Sequence, residues 1–599
     1  MPDSLRQDKR LAKLNTPLGK DKLVLSSFDC IEGVSEKFQI NVEALSTDKG
    51  VNFDSAIGQN CTIAVEIEPG KKRYFDGILT EARWVGTNPD DNEAYSLVLE
   101  PWLRLLAYRS NCRIFHEKTV PEIIEQIFGE HSFARYTNNL SRGYPELEYC
   151  VQYRESDMDF VCRLMEEYGI SYYFEHSDGE HKLILADEMS TFETLPGGAR
   201  RYTPQVGGHR TRKEDFFTWE QDRRYVSGKI KLTDYDFKKP NNDLTVNEDI
   251  NPPFENATLE VFDYPGRYVE SSDGQKIAQA WRDMERAKDG HFFADGDCVT
   301  CFPGALVTLE DKSGSGFDAE YLALRCRHKF GPQSYRSGAA SPAERIYMGW
   351  YEFIKSDKTY APPRVTKKAV IQGPQTAEVV GSGDIDVDEY GRILVRFHWD
   401  QKKDQSRRCR VAQVWAGNQW GGIYIPRVGM EVLVDFLEGD PDQPLIVGAI
   451  YNDKNMPPYD LPGQKNISGL KSNSTEGGGG YNELIFDDSS GSELLRLHAQ
   501  RNLESVVEND EARKVKINRK SEIGQNDTLD VGQVLKIDAG TKVEITVGSS
   551  KITMTPEKIS LESLQIEIKA TDLKSDAVMS THSAGGVMDI KGSLVKINS

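Results

Sequence analysis

The sequence predicts a protein in three β-rich parts: a large α+β region, a small barrel of the OB type and a tail of short strands. Up to about residue 370, short β-rich runs alternate with a few helical patterns. From residue 384 to 451, strand-like runs are separated by Gly, Pro or Asp. From Ile545, an apolar pair then recurs every seven residues.

The composition of the chain limits the classes of function that it can have. The chain has 599 residues, 38% of them hydrophobic, which is enough for several domains with buried cores. Asp and Glu number 94 against 74 Lys and Arg, and the net charge of −20 opposes a nucleic-acid partner. Nine scattered cysteines and an N-terminus without an apolar run predict no signal peptide and a protein first kept in the reducing cytoplasm.

Two helices are predicted in the α+β region. One spans Pro121 to Phe128, carries an apolar stripe and ends at Gly129. The other starts after Ser156, which is a capping residue, and stops at Gly169 before the strand-like run "ISYYFEH".

The barrel prediction rests on five runs. In "IDVDEYGRILVRFHWD" a turn at 389–391 precedes Ile393, Val395, Phe397 and Trp399, which alternate on one face. The runs "RCRVAQVW", "GGIYIPRVG", "MEVLVDFLEGD" and "QPLIVGAIYN" follow it. Their spacing favours a five-stranded OB-type barrel, and because such barrels bind many ligands, the fold predicts none.

The tail pattern predicts an assembly. Its apolar residues are Ile545, Val547, Ile552, Met554, Ile559, Leu561, Ile566 and Ile568. Spacings of two exclude a coiled-coil seam, and because seven is odd, the chain must bend between pairs to keep them on one side, at breakers such as Gly548 and Pro556. One chain offers such short rungs few partners, so we expect the apolar side chains to meet on an axis shared by several copies.

Two segments with the composition of linkers predict the domain boundaries. Pro, Gly, Ser and Asn are enriched in 452–483, and prolines interrupt 358–383. The predicted domains are therefore 1–374 and 375–455, followed by a linker at 456–485 and the tail at 486–599. The tetraglycine at 477–480 lacks the Lys-Ser/Thr of a phosphate loop and favours a flexible linker.

No cofactor or metal is predicted. A zinc site is the less favoured interpretation of Cys298, Cys301, Cys326 and His328, and reduced structural cysteines are preferred. Calcium is disfavoured because the EF-hand spacing is missing, and a solvated acidic turn is preferred for Asp384, Asp386, Asp388 and Glu389. His398 is expected on the barrel surface. His498 and His582 form no His-x-His pair, which disfavours a metal at the tail end.

The chain resembles the VgrG proteins, the trimeric spikes of type VI secretion systems and relatives of phage tail spikes. Four segments carry the resemblance, at 153–187, 388–400, 414–452 and 469–502, including "VWAGNQWGGIYIPRVGMEVLVDFLEGDPDQPLIVGAIYN". The resemblance implies a phage-tail-hub-like domain, an OB barrel and a triple-stranded β-helix needle formed by trimerisation.

The same resemblance implies a mechanical role. A contracting sheath would propel the homotrimer, first assembled in the cytoplasm, out of the cell and into target cells. Its implied partners are an Hcp hexamer tube, baseplate proteins, secreted effectors with or without an adaptor, and a PAAR-repeat tip protein. The residues implied to face PAAR are Lys596, Ile597, Asn598 and Ser599.

No catalytic residue is predicted. The chain contains neither a G-x-S-x-G elbow nor an H-E-x-x-H motif, and the predicted linker is too short for a hydrolase domain. The alternative is a carbohydrate-processing enzyme or adhesin with a single-chain β-helix. Rungs of seven residues are too short to close such a solenoid within one chain.

Overall fold

A computed structural model describes residues 5–8, 10–204, 214–331 and 347–597. The chain divides into two compact units, Met1–Asn502 and Leu503–Ser599. The described residues are dominated by strands and loops, with three α-helices among them: α1 Val120–Gly129, α2 Asp157–Glu167 and α3 Ser271–Arg286.

The N-terminal region, up to residue 374, is built on β-sheets. Its strands are β1 Ala12–Asn15, β2 Val24–Gly33, β3 Gln39–Ser46, β4 Asn60–Glu68, β5 Lys71–Thr87, β6 Glu93–Glu100, β7 Ser110–Thr119, β8 Tyr136–Asn138, β9 Glu146–Ser156, β10 Ser171–Ser177, β11 Glu180–Ala186, β12 Glu193–Thr194, β13 Arg200–Tyr202, β14 Glu220–Gln221, β15 Lys229–Leu232, β16 Val246–Asp249, β17 Glu260–Asp263, β18 His291–Gly296, β19 Ala305–Asp311, β20 Ala319–Phe330 and β21 Tyr347–Lys355.

One large sheet organises this region. Its strands run in the order β1-β4-β5-β6-β3-β2-β20-β21-β18-β14, and β19 joins β12 and β13 to β20. In β3 the residues Ile40, Val42 and Ala44 are buried and alternate with exposed or half-buried ones, as expected for a sheet with one face on a core. Smaller sheets are β10-β11-β8, β16-β15-β17 and β7-β9.

Both predicted helices are confirmed. The Oγ1 of Thr119 accepts a hydrogen bond from the backbone N–H of Glu122, whose carboxylate accepts from the N–H of Thr119 at 2.8 Å. This capping box begins α1, one residue before the predicted start. The Oγ of Ser156 accepts from the N–H of Asp159 at 3.0 Å and begins α2. Gly169 follows α2 at a φ of +68°, the left-handed conformation expected of the residue after a helix.

The predicted barrel is confirmed as a five-stranded sheet in the order β23-β22-β27-β28-β24. The strands of this region are β22 Gln375–Val380, β23 Leu394–Phe397, β24 Arg410–Val411, β25 Ala416–Gly417, β26 Trp420–Gly421, β27 Glu431–Phe436 and β28 Pro444–Ile450. Ile393, Val395 and Phe397 face its core as predicted, and Trp399 packs against that core.

One barrel strand was misassigned. The run "GGIYIPRVG" at 421–429 was predicted to be a strand, but only Gly421 lies in one, at the end of β26, and residues 422–429 form none. Because Pro426 lacks a backbone donor and Gly429 takes a φ of +86°, this stretch cannot continue a ladder. The missing strand is β22, which lies between β23 and β27.

The barrel shares a core with the N-terminal region. Ile114 of β7 and Tyr149 and Val151 of β9 belong to the same buried cluster as the barrel residues. The N–H of Val151 donates to Asp442 at 2.7 Å, and the amide of Gln375 donates to the hydroxyl of Tyr153 at 2.8 Å. The two-stranded sheet β7-β9 thus anchors the barrel.

Part of the predicted linker is ordered. Its residues contribute β29 Ile467–Lys471 and the start of β30 Glu483–Asp487, which pair with β31 Leu494–His498 in a sheet of three strands. The tetraglycine is held in a turn, because the N–H of Ser474 donates to the carbonyl of Gly480 at 2.8 Å. This segment is therefore not a plain flexible linker, and the domain boundaries stay a prediction.

Candidate assembly surfaces

Three tail strands place six of the eight predicted apolar residues on one face. These strands, β32 Val543–Val547, β33 Ser550–Met554 and β34 Ile559–Glu562, form an antiparallel meander. Residues directly opposite in such a sheet point to the same side. One row consists of Ile545, Ile552 and Leu561, and the next of Val543, Met554 and Ile559. The rungs pair within one chain, which the spacing of the apolar residues did not predict.

The chain bends between the apolar pairs, as predicted. Gly548 takes a φ of +54° between β32 and β33, and Pro556 lies in the turn between β33 and β34. At the second turn the N–H of Thr555 donates to the carbonyl of Lys558 at 2.9 Å. These turns keep successive pairs on one side of the sheet.

The apolar face of the tail is not covered within one chain. The exposed fractions of the eight predicted tail residues run from 37% for Met554 to 75% for Val547. Ile566 and Ile568 lie beyond the strands and are also exposed. Contiguous apolar surface of this kind marks an association site in a soluble protein.

The predicted tail end lies only partly within the described residues. Ile597 is exposed and Lys596 precedes it without regular structure. Asn598 and Ser599 lie outside the described residues. The assignment of these four positions stays a prediction.

A second apolar surface was not predicted from the sequence. It lies on the barrel hairpin, which we define as residues 411–426 and which contains β25 and β26. Trp415 and Trp420 are 65% and 57% exposed, and their rings meet edge to face with centroids 4.9 Å apart. A sequence signal exists: residues 411–426 contain no charged side chain, although 28% of the chain is charged.

A buried polar cluster links four strands of the N-terminal region. Glu32 of β2 lies 3.3 Å from Nε2 of His176, 3.2 Å from Nε2 of His328 and 3.3 Å from the guanidinium of Arg73. Burial alone would raise the pKa of Glu32, but the two histidines and the charge of Arg73 outweigh it and hold the pKa well below its usual range. The carboxylate is therefore ionised inside the sheet core.

The cysteines of the disfavoured zinc site lie in a packed core. Cys298, Cys301 and Cys326 are fully buried, and the Sγ atoms of Cys301 and Cys326 are 3.9 Å apart. Cys298 accepts a hydrogen bond from Arg200 at 3.3 Å. His328 is directed to Glu32 and to the hydroxyl of Tyr347 at 2.5 Å. In the parts of the chain that are described, no group of three His, Cys, Asp or Glu side chains is arranged to hold a metal.

The acidic turn of the barrel differs from the prediction of a solvated one. Its three aspartates form ion pairs with arginines: Asp384 with Arg427 at 3.0 Å, Asp386 with Arg408 at 2.6 Å and Asp388 with Arg392 at 2.6 Å. The arginines come from three other points of the barrel sequence, so the turn is tied to the barrel by charge. His398 is exposed as predicted, with Nε2 3.1 Å from the hydroxyl of Thr376.

Among the residues described, no helix is both long and apolar enough to cross a membrane.

Sequence families match three consecutive parts of the chain. Residues 31–334 match the phage tail baseplate hub (GPD), and residues 375–451 match the type VI secretion system/phage-baseplate injector OB domain. Residues 468–571 match the bacteriophage T4 gp5 C-terminal trimerisation domain. The last match contains the whole meander β32 to β34.

Whole-chain relatives agree with these matches. The type VI secretion system spike protein VgrG1a of Pseudomonas aeruginosa is 34% identical over 577 residues, which cover 91% of this chain and 89% of the relative. VgrG1b of the same organism is 36% identical over 517 residues, 85% of this chain and 69% of the relative.

Solved structures share the fold. The E. coli c3393 protein, a type VI secretion component with structural similarity to T4 tail proteins gp27 and gp5, has a TM-score of 0.53 at 20% identity, covering 73% of this chain and all of that one. The Francisella PdpA–VgrG complex in its half-lidded form gives 0.53 at 10% identity, covering 82% of this chain and 88% of that chain.

Proposed function

This chain belongs to the VgrG family of type VI secretion system spike proteins, and from that premise we propose that three copies wind their tails into one β-helix needle. The role of the spike proteins that match most of this chain is structural, and spike proteins of the family are exported by the secretion machine itself. The relatives favour this role over a carbohydrate-processing enzyme or adhesin. The needle would need stiffness and closed strand edges to be driven through an envelope.

The uncovered face of the tail supports the needle proposal most directly. Ile545, Ile552 and Leu561 form a continuous apolar row that no side chain of the same unit covers well, since each is at least 39% exposed. Burial of such side chains drives association. We assign the interior of the needle to Ile545, Val547, Ile552, Met554, Ile559, Leu561, Ile566 and Ile568.

Membership in the family also suggests roles for the other parts of the chain. Residues 1–374 would form the hub that caps an Hcp hexamer tube and contacts the baseplate, and 375–455 the OB barrel. Residues 456–485 would connect the barrel to the needle at 486–599. Because the solved Francisella relative is a PdpA–VgrG complex, other proteins, including effectors and their adaptors, are natural candidates for binding to the trimer.

The needle end would carry a tip protein. We propose that Lys596, Ile597, Asn598 and Ser599 face a PAAR-repeat partner. The trimer would be assembled in the cytoplasm and then be delivered outside the cell and into target cells.

The absolute mass in solution tests the needle. Wild-type protein should have three times the chain mass of 67.5 kDa by light scattering. Ile552→Lys places a charge on the apolar face, and we expect its trimer to dissociate at higher protein concentration than the wild type. Thr553→Lys is the matched control, because Thr553 points to the opposite side of the same strand. A trimer equally stable in both variants would remove Ile552 from the needle interior.

A further inference from the structure

The barrel hairpin is a preorganised element. The side chain of Gln413 bonds the backbone of Tyr424 twice, accepting from its N–H at 2.9 Å and donating to its carbonyl at 3.2 Å. Gly421 takes a φ of +136°, and a Cβ there would lie 2.4 Å from the carbonyl oxygen of Trp415. A Cβ on Gly417 would meet the ring of Trp420 at 2.3 Å. The two glycines therefore allow the tryptophans to take up fixed positions against the hairpin backbone.

The side chains that this scaffold presents point to solvent. Val414 is 84% exposed and Ile423 is 74% exposed, beside the two exposed tryptophans. Among the described residues, β25 and β26 pair only with each other. A two-stranded pair that joins no larger sheet is marginally stable in water, so β25 and β26 gain from a surface that covers their apolar side.

The charge pattern favours a second copy of the chain as that surface. Each chain carries a net charge of −20, so two copies approach with least repulsion where both lack charged groups. Residues 411–426 provide such a stretch, with two tryptophans and a tyrosine, and interface cores combine this depletion of charge with aromatic side chains. A copy of the same chain is also available to every hairpin, whereas a cargo protein present once per spike would leave hairpins bare.

The hairpin is also continuous with the part of the chain that matches a trimerisation domain. Directly after the hairpin, the guanidinium of Arg427 donates to the backbone carbonyl of Asn473 at 2.9 Å. Asn473 lies within the matched residues 468–571. A hydrogen bond thus joins the residue that follows the hairpin to the start of the matched trimerisation region.

We propose that the barrel hairpin is an interface between protomers, in which Trp415, Trp420 and Ile423 of one copy pack on the barrel region of the next copy. The inference rests on the proposed trimer. Each protomer gives one hairpin and receives one, and such a head-to-tail contact closes into a ring of three. The hairpin contacts would then hold the barrels of the three protomers together without any contribution from the needle.

Thiol labelling of a cysteine at position 423 tests the proposal. Ile423→Cys is compared with Tyr108→Cys, because both positions are 74% exposed in the single chain. Labelling of the nine native cysteines is subtracted with the wild-type chain. In the intact trimer we expect Ile423→Cys to react at least about tenfold more slowly than the same variant unfolded in urea. Tyr108→Cys shows whether the reagent reaches the folded protein.

The outcomes separate the two proposals. If the mass is that of a trimer and Ile423→Cys reacts as fast folded as unfolded, the hairpin proposal is overturned and the needle stands. A monomer by mass would overturn the needle, and the hairpin proposal with it. As a second measurement, Trp415→Ala/Trp420→Ala should make the trimer dissociate at lower urea than the wild type. Trp84→Ala should not, although Trp84 is equally exposed at 58%.

Discussion

Replacing Glu32 by Gln removes the anion from the buried cluster of the N-terminal region. The side chain of Glu32 is 3% exposed and that of Arg73 is 11% exposed, so solvent screens their attraction weakly. Glu32→Gln keeps the size of the side chain but leaves Arg73 with no anion at 3.3 Å. Breaking a buried ion pair from one side costs about 3–5 kcal/mol, and we expect a loss in this range.

This loss in the free energy of unfolding is measured by unfolding the N-terminal region in urea while tryptophan fluorescence is monitored. Glu36→Gln is the control, because Glu36 pairs with Arg325 at 3.2 Å but both side chains are about half exposed. We expect the control to change the free energy of unfolding by less than about 1 kcal/mol. Equal effects of the two substitutions would refute the view that the cluster stabilises the sheet.

The same cluster predicts a pH dependence. The folded-state pKa of Glu32 is lowered, so its contribution to stability is fully present above the unfolded pKa of about 4.3. This contribution falls as the pH drops from there toward the lower folded pKa, since protonation is then coupled to unfolding. Below about pH 4.3, the stability of the wild type should therefore fall more steeply with decreasing pH than that of Glu32→Gln. Parallel curves would contradict the assignment of an ionised Glu32.

Two further predictions concern local features. Thr119→Ala removes the cap of α1 and should lower the free energy of unfolding, measured in urea, by about 1 kcal/mol. Thr119→Ser is the control, because it keeps the hydroxyl that forms the cap. Equal losses of free energy in both variants would exclude the hydroxyl as the cause. Burial, and to a smaller extent the charge of Asp76, raises the pKa of the Cys61 thiol to about 12. A maleimide at pH 8 should therefore leave Cys61 unlabelled in the folded chain and label it in urea. Mass spectrometry of the peptide that contains Cys61 measures the labelling. Equal labelling rates in the folded and unfolded chain would contradict the burial of Cys61.

Local signals were predictable from the sequence. The proline near the start of α1, the capping residue Ser156 and the stop at Gly169 act within a few positions of the chain, so both helices could be placed. The spacing of the tail residues likewise predicted the bends near Gly548 and Pro556.

Long-range features were not predictable in the same way. Glu32 and His328 lie far apart in sequence and meet only because β2 pairs with β20. The strand β22 was not predicted because prolines precede it in the sequence. The run after β26 alternates like a strand, but it contains a proline and a glycine that prevent it from pairing in a ladder. The barrel hairpin combines polar and glycine residues with its tryptophans, so its exposure became evident only from the fold.

The mass of the full chain in solution, determined by light scattering during size-exclusion chromatography, tests the central proposal most directly. We expect a single species at three times 67.5 kDa. A monodisperse species at 67.5 kDa would mean that the apolar face of the tail stays uncovered or is covered within one chain, and the needle would have to be abandoned.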